Sequence, residues 1–257
     1  MKVVLLAGGL GTRLREETEF RPKPMVEVGG KPILWHIMKI FATQGHSEFI
    51  VATGYKSDYI KDYFLNYQTR TNDFTIMPGK ADSLVIHGKS DESSWTVTVC
   101  DTGLETQTSG RVKRVQKYLD GEDFMCTYGD GLADVNLGEL IKSHEASGKI
   151  ATVTAVQPIS RFGVLEQEED GTVLAFSEKP QSSSWINAGF FVFKNEVFDY
   201  LDDTSMLEDA PMHNLVNARQ LNSYRHQGFW QPMDTFREAQ MLNGMWARGE
   251  APWKTWE

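Results

Sequence analysis

A run of small residues follows the first apolar segment of the chain: Leu6-Ala7-Gly8-Gly9-Leu10-Gly11-Thr12-Arg13-Leu14. Glycines let a backbone adopt positive φ and approach an anion closely, so successive amide N–H groups can point at phosphate oxygens. Arg13 closes the run and Pro22-Lys23-Pro24 follows soon after, which sets two fixed cations beside the amide cradle. Such a set suits a triphosphate whose charge grows on a departing pyrophosphate. Two other phosphate motifs fail on residue identity. Starting at Gly9-x-Gly11, the third glycine of a dinucleotide fingerprint falls on Leu14; Gly88-Lys89-Ser90 has Ser83 where a Walker A motif needs its first glycine. Taken alone, the glycines also read as a tight strand-to-loop turn with surface bases.

Further along, Asp130 lies between Gly129 and Gly131 after an apolar run, and Asp234 lies just before the last helical segment. Brought together, two carboxylates could hold Mg²⁺, a hard cation content with one or two protein oxygens if phosphate and water complete its shell. Asp134 is a weaker neighbour. The plainer readings are a turn aspartate at Asp130 and a helix-start aspartate at Asp234. Thr106, Thr108 and Arg111 form a hydroxyl- and donor-rich stretch able to face a nucleobase edge; the alternative is a polar loop with Arg111 on an exposed helix face. Glu178-Lys179 reads either as a ligand pair or as an ordinary solvated ion pair.

These residues need a frame. Val3 to Ala7 is continuously apolar, as a strand buried on both faces should be. Pro32 suits a helix start, with Ile33, Leu34, Ile37, Met38 and Phe41 on one face and Gly45 as its stop. Phe49 to Thr53 is a second strand, followed by a helix capped by Ser57 with Tyr59, Ile60, Tyr63 and Phe64 on its face. That β-α-β-α start predicts a parallel sheet. Residues 68–94 break the rhythm and read as short strands or a loop excursion. Then come a strand at Thr96–Cys100, a helix carrying Val112, Val115 and Leu119, a strand at Phe124–Tyr128, and a helix capped by Asn136 and closed by Gly148. Strands are expected at Ile150–Val156, Gly163–Leu165, Val173–Phe176 and Ile186–Phe193, with a turn at Asp170-Gly171. The last helix starts at Thr235, whose spacing to Glu238 fits a capping box, and runs to about Arg248.

The chain has 257 residues, enough for one domain with a sizeable core, and no repeat, low-complexity tract or linker divides it. With 26 basic and 35 acidic residues the net charge is −9, a balance that disfavours nucleic acid and anionic lipid and requires any phosphate site to be built locally. The cysteines, Cys100 and Cys126, lie in apolar runs without metal-ligand spacing, which favours a reducing compartment. The early apolar run is too short for a signal core or a membrane span, so the expectation is a soluble, cytoplasmic protein.

The run Leu6 to Leu14, with Lys23-Pro24-Met25, Gly29-Gly30-Lys31-Pro32-Ile33-Leu34, Tyr128-Gly129-Asp130-Gly131, Phe176-Ser177-Glu178-Lys179-Pro180, Ile186 to Phe193 and Gly228 to Thr235, resembles the signature of the sugar-phosphate nucleotidyltransferases. The resemblance spans nearly the whole chain. It implies an α/β fold with a Rossmann-like, mostly parallel sheet flanked by helices and a smaller β-rich sugar-binding half. The expected organisation is one domain, 1–257, with a nucleotide half to about 135 and a sugar half from about 136. It implies nucleotide contacts from Leu6, Ala7, Gly8, Gly9, Leu10, Gly11, Thr12, Arg13, Lys23 and Gly129, and places Thr106 and Arg111 near the base. Arg13, Lys23, Asp130 and Asp234 become the catalytic set, with Mg²⁺ on the two aspartates. Glu178, Lys179, Asn187 and Gly189 match the family's sugar-phosphate positions. Trp35-His36-Ile37-Met38, Asp101-Thr102-Gly103, Gly110-Arg111 and Ala251 to Trp256 point to members that join CTP to glucose 1-phosphate, releasing pyrophosphate; a dTTP- or UTP-dependent member and a non-catalytic sugar-nucleotide-binding homologue are the alternatives. The resemblance further implies a homo-oligomer, a hexamer among its forms, without the β-helix acyltransferase domain of some relatives, working towards deoxysugars of bacterial surface polysaccharide. Residues 68–94 and the tryptophans at 246, 253 and 256 are the candidate self-association patches.

Overall fold

The computed structural model describes residues 1–160 and 162–256. Its frame is an eight-stranded sheet built from β1 (Lys2–Ala7), β2 (Glu48–Thr53), β3 (Thr96–Asp101), β4 (Phe124–Tyr128), β5 (Ala151–Val156), β6 (Ile186–Asn187), β7 (Phe191–Phe193) and β8 (Leu221–Arg225). β3, β2, β1 and β4 lie side by side and parallel. Then β7 runs antiparallel to both β4 and β5, and β8 is parallel to β5. β1 carries Val3, Leu5 and Ala7 into the cluster with Ile33, Ile37 and Phe41 on one face. Val4 and Leu6 enter the cluster with Val112, Val115 and Phe191 on the other. Both faces are covered, which is why the run is apolar throughout rather than alternating.

The longer helices are α1 (Ile33–Ala42), α2 (Ser57–Leu65), α3 (Thr108–Val115), α4 (Leu137–Ser147), α5 (Ala210–Asn217) and α6 (Phe236–Ala247). Asn136 accepts from the Glu139 N–H and Gly148 closes α4 at φ +65°. Thr235 and Glu238 form the expected capping box. Residues 68–94 leave the sheet and form a small hairpin, Asp73–Thr75 with Val85–His87.

Four expectations change. Ser57 is the first residue of α2 rather than its cap; Lys56 holds the cap position at φ +48°, and the Ser57 hydroxyl is paired with that of Thr53 at 2.7 Å. Tyr59, placed on the buried face of that helix, is exposed. The strand expected over Ile186–Phe193 is broken, because Gly189 and Phe190 both take positive φ; β6 and β7 pair separately with opposite ends of β5. The tryptophan-rich end is not a patch. Trp253 is fully buried and donates from Nε1 to His36 Nδ1 at 3.3 Å, while Trp246 and Trp256 pack against the core.

An exposed apolar feature lies elsewhere, in a two-stranded ribbon, Val164–Gln167 with Val173–Ser177. Both of its strands are exposed along their length, as is Phe162 beside it. Cys100 and Cys126 are buried free thiols. Among the described residues no helix is long and apolar enough to cross a membrane.

Candidate active site

Register explains why distant residues meet. Leu6 pairs with Tyr128, so the glycine run and Gly129-Asp130 leave the sheet side by side at its carboxyl edge, where open α/β sheets bind ligands. Beyond them Gly131–Ala133 pairs with Trp230–Pro232, and the Met233 N–H donates to Asp130 O at 2.9 Å. That short ladder draws Asp234 towards Asp130. The Glu238 carboxylate then accepts from the backbone N–H of Asp234 at 2.7 Å, so the aspartate is seated on the cap of α6.

A cleft of about 270 Å³ opens at this edge. Every residue expected on the nucleotide side lines it except Leu10, whose side chain is exposed. The three glycines of the run do different things. Gly9 has nothing within 4 Å of where a Cβ would stand, so its missing side chain opens space. Gly11 sits at φ +64°, and a Cβ there would meet Thr18 Cγ2 at 2.8 Å, so it is needed for the turn itself. Gly8 makes room for a guanidinium: its Cβ would stand 2.1 Å from Arg111 Nη1. Gly129 donates to Leu6 O at 3.0 Å and leaves no space for a side chain against that oxygen.

The charged residues converge. Lys23 Nζ is 2.5 Å from Asp130 Oδ2 and 2.6 Å from Asp234 Oδ1, and Arg13 Nη1 is 3.0 Å from Asp234 Oδ2. Burial disfavours the charge on Lys23, yet Asp130 and Asp234 outweigh it and hold the ammonium above its ordinary pKa. Arg13 remains 75% exposed at the lip, free to swing onto an arriving phosphate. The two carboxylates present hard oxygens to a single cationic point. Among the described residues no group of three or more His, Cys, Asp or Glu is placed to hold a metal ion. Such a pair fits an ion like Mg²⁺, which takes the rest of its shell from phosphate and water. Asp134 turns instead to His226, 3.0 Å away.

Arg111 lines the cleft as expected, but not on an exposed helix face. It is buried, and its donors are already used: Nη1 and Nη2 donate to the carbonyls of Thr53, Gly103, Gly8 and Leu104 and to the Thr102 hydroxyl, at 2.7–3.2 Å. It braces the cleft wall and has no Nη hydrogen left over for a base. Thr106 lines the cleft with its hydroxyl donating to Thr102 O and accepting from Arg114.

Asn187 and Gly189 do not line the cleft themselves but meet its wall at Tyr128: Asn187 Nδ2 donates to the Tyr128 hydroxyl at 3.1 Å. Gly189, at φ +78°, lets the backbone pass Tyr128, whose Cδ2 would be 2.9 Å from a Cβ. Glu178 and Lys179 do not line the cleft. They close the exposed ribbon, face each other at 3.7 Å, and are each more than half exposed. Sequence reasoning missed Tyr128 and Glu208. Tyr128 could have been suspected because it precedes Gly129-Asp130; Glu208 carries no local signal.

The sequence model of the nucleotidyl transferase family matches residues 2–235. The chain belongs to that family. It is 49% identical over 260 residues to the glucose-1-phosphate cytidylyltransferase of Salmonella typhi, with both chains covered in full. It is 45% identical over 258 residues to the probable glucose-1-phosphate cytidylyltransferase of Bacillus subtilis, again over the whole of both. Among solved structures, HddC from Yersinia pseudotuberculosis superposes with a TM-score of 0.69 at 22% identity, over 95% of this chain and 99% of that one, a likeness of fold. In a nucleotidyl transferase, an amide cradle with a buried ammonium between two carboxylates can bind a polyphosphate and balance charge as a phosphoanhydride breaks.

Proposed function

We propose that the protein transfers the cytidylyl group of CTP to α-D-glucose 1-phosphate, forming CDP-glucose and pyrophosphate. The observation that carries the reading is Lys23 held between Asp130 and Asp234 beneath the glycine run. The choice of CTP and glucose 1-phosphate is supported by the two relatives at 49% and 45% identity. A phosphate oxygen of glucose 1-phosphate attacks the α-phosphorus in line; the new P–O bond forms as the bond to the pyrophosphate oxygen breaks, and the leaving group carries the electron pair away. The nucleophile is already an anion, so no covalent enzyme intermediate and no general base are required, and catalysis rests on positioning and charge. Arg13 grips the β- and γ-phosphates and Lys23 neutralises the α-phosphate. Asp130 and Asp234 would hold Mg²⁺, which supplies further neutralisation of the phosphate oxygens when bound.

Asn187 and Gly189, beside Tyr128, are proposed for the sugar phosphate together with Glu178 and Lys179, the latter two on the family motif alone. A non-catalytic homologue is disfavoured because Arg13, Lys23 and both aspartates are present and brought together. We also propose one domain over residues 1–257, a cytoplasmic setting in keeping with two free thiols, and a homo-oligomer, supported by the exposed Phe162, Leu165, Leu174 and Phe176 around the ribbon. Pyrophosphate release, measured separately with CTP, UTP and dTTP plus glucose 1-phosphate and Mg²⁺, tests the reaction. Turnover with CTP above the other two is expected, and release only with dTTP or UTP overturns the base assignment. Light scattering tests the assembly, where a monomer at micromolar concentration is the adverse result.

A further inference from the structure

We infer that Glu208 is a positioning residue that makes one end of the cleft an acceptor surface and thereby favours cytosine over uracil. The inference rests on the CTP reading above. Glu208 is exposed, but its carboxylate accepts from two hydroxyls lining the cleft: Tyr128, from the strand that ends at Gly129, and Thr108, at 3.1 Å, from the start of α3. A carboxylate can only accept here, so both protons must point at Glu208. Tyr128 also accepts from Asn187 Nδ2, and Thr108 accepts from the Leu207 N–H at 2.6 Å. Each oxygen keeps one lone pair for a ligand and has no proton to give. Thr106 is in the same state, its proton on Thr102 O at 2.6 Å and one lone pair taken by Arg114. Arg111, which lines the same wall, has its Nη groups spent on carbonyls.

The cations that can meet phosphate, Arg13 and Lys23, lie at the Asp130–Asp234 end, which leaves the hydroxyl end for the base. Cytosine offers an N4 amino group with two hydrogens, where uracil offers the O4 lone pairs. A set of hydroxyl oxygens with committed protons therefore accepts from N4 and repels O4. Sites built to pair with a particular polar group discriminate strongly because the wrong partner leaves buried groups unpaired. The Arg111 brace and the Glu208 clamp come from different segments and both turn their donors away from the cleft, which the Gln107 amide, able to donate or accept, also lines.

The test compares wild type with Glu208→Gln and Glu208→Ala, in steady-state assays with CTP and with UTP, alongside thermal unfolding. Glutamine can accept from one hydroxyl and must donate to the other, which turns that proton back towards the cleft. The expected result is a fall in the CTP-to-UTP ratio of kcat/KM by about tenfold or more, with the loss on CTP and no loss on UTP, at unchanged Tm. An unchanged ratio, or equal losses on both triphosphates, overturns the inference, the second result marking a merely structural residue. A wild-type preference for UTP overturns the proposed function and this inference with it; a wild-type preference for CTP with an unchanged ratio in both variants overturns this inference alone.

Discussion

The phosphate end of the cleft and the ribbon both carry a lysine beside a carboxylate, yet they are opposite kinds of place. At the cleft, Lys23 is 11% exposed and shared by two aspartates at 2.5 and 2.6 Å, each anchored by sheet register or a helix cap. On the ribbon, Lys179 is 53% exposed and stands 3.7 Å from Glu178. A shielded charge is held by its partners and loses heavily if one is removed; a wet one is held by water and loses little. The positions of charged motifs along the chain look alike, but burial decides which of them the fold has committed.

That contrast can be broken at the cleft first. Lys23→Ala leaves two carboxylates facing each other without their shared cation. We expect kcat to fall by about 10²- to 10³-fold, read from pyrophosphate release, and a loss under threefold would remove Lys23 from the machinery. Asp234→Ala should abolish the Mg²⁺ dependence of nucleotide binding in isothermal titration, and an unaltered dependence would exclude that aspartate as a ligand.

The wall beside that end is the next place to press. Arg111→Met removes the guanidinium donors from the carbonyls of Gly8, Thr53, Gly103 and Leu104, and should cost about 3 kcal/mol of stability. Denaturant unfolding reads this directly, and a cost under about 0.5 kcal/mol would mean that the carbonyls find water. Behind the wall, burial lowers the pKa of His36 to about 4. It is neutral when folded, accepting from Trp253 at Nδ1 and donating from Nε2 to Val28 O at 2.7 Å. The unfolded chain binds the proton more readily, so this contribution is complete above about pH 6.5 and declines as pH falls towards 4, by about 3 kcal/mol in all. His36→Phe should flatten the stability profile in that window, with His46 and His144, also lowered by burial, contributing what slope remains. An unchanged slope would show that His36 does not drive it. The smallest effect belongs to the ribbon. Lys179→Ala should move stability by no more than about 0.5 kcal/mol, and a larger drop in Tm would erase the contrast.

Much of the frame was legible because its signals are local. Asn136, Gly148 and the Thr235–Glu238 box act within one turn of helix, and the apolar run of β1 records burial on both faces. Ser57 misled because a better partner, Thr53, lay across the turn. The strand through Ile186–Phe193 misled because Ala188-Gly189-Phe190 is apolar enough for a strand while its backbone bends to pass Tyr128. In the site, the glycine run and the two aspartates were readable by type and spacing. Arg111 was not, since its partners come from three other stretches of chain, and Trp253 looked exposed only because His36 is 217 positions away. Glu208 depends on Tyr128 and Thr108 together, a pairing no spacing rule contains.

The fit of Gly8 against Arg111 bears on how such enzymes can be redesigned. A glycine-rich segment is usually treated as an interchangeable cassette, to be lifted from one relative into another to alter nucleotide preference. Here one of its glycines is shaped by a guanidinium belonging to α3, so a transplanted loop bearing a side chain at that position would eject the arginine that pins three neighbouring strand ends. Swaps between relatives should therefore carry the two segments as a matched pair.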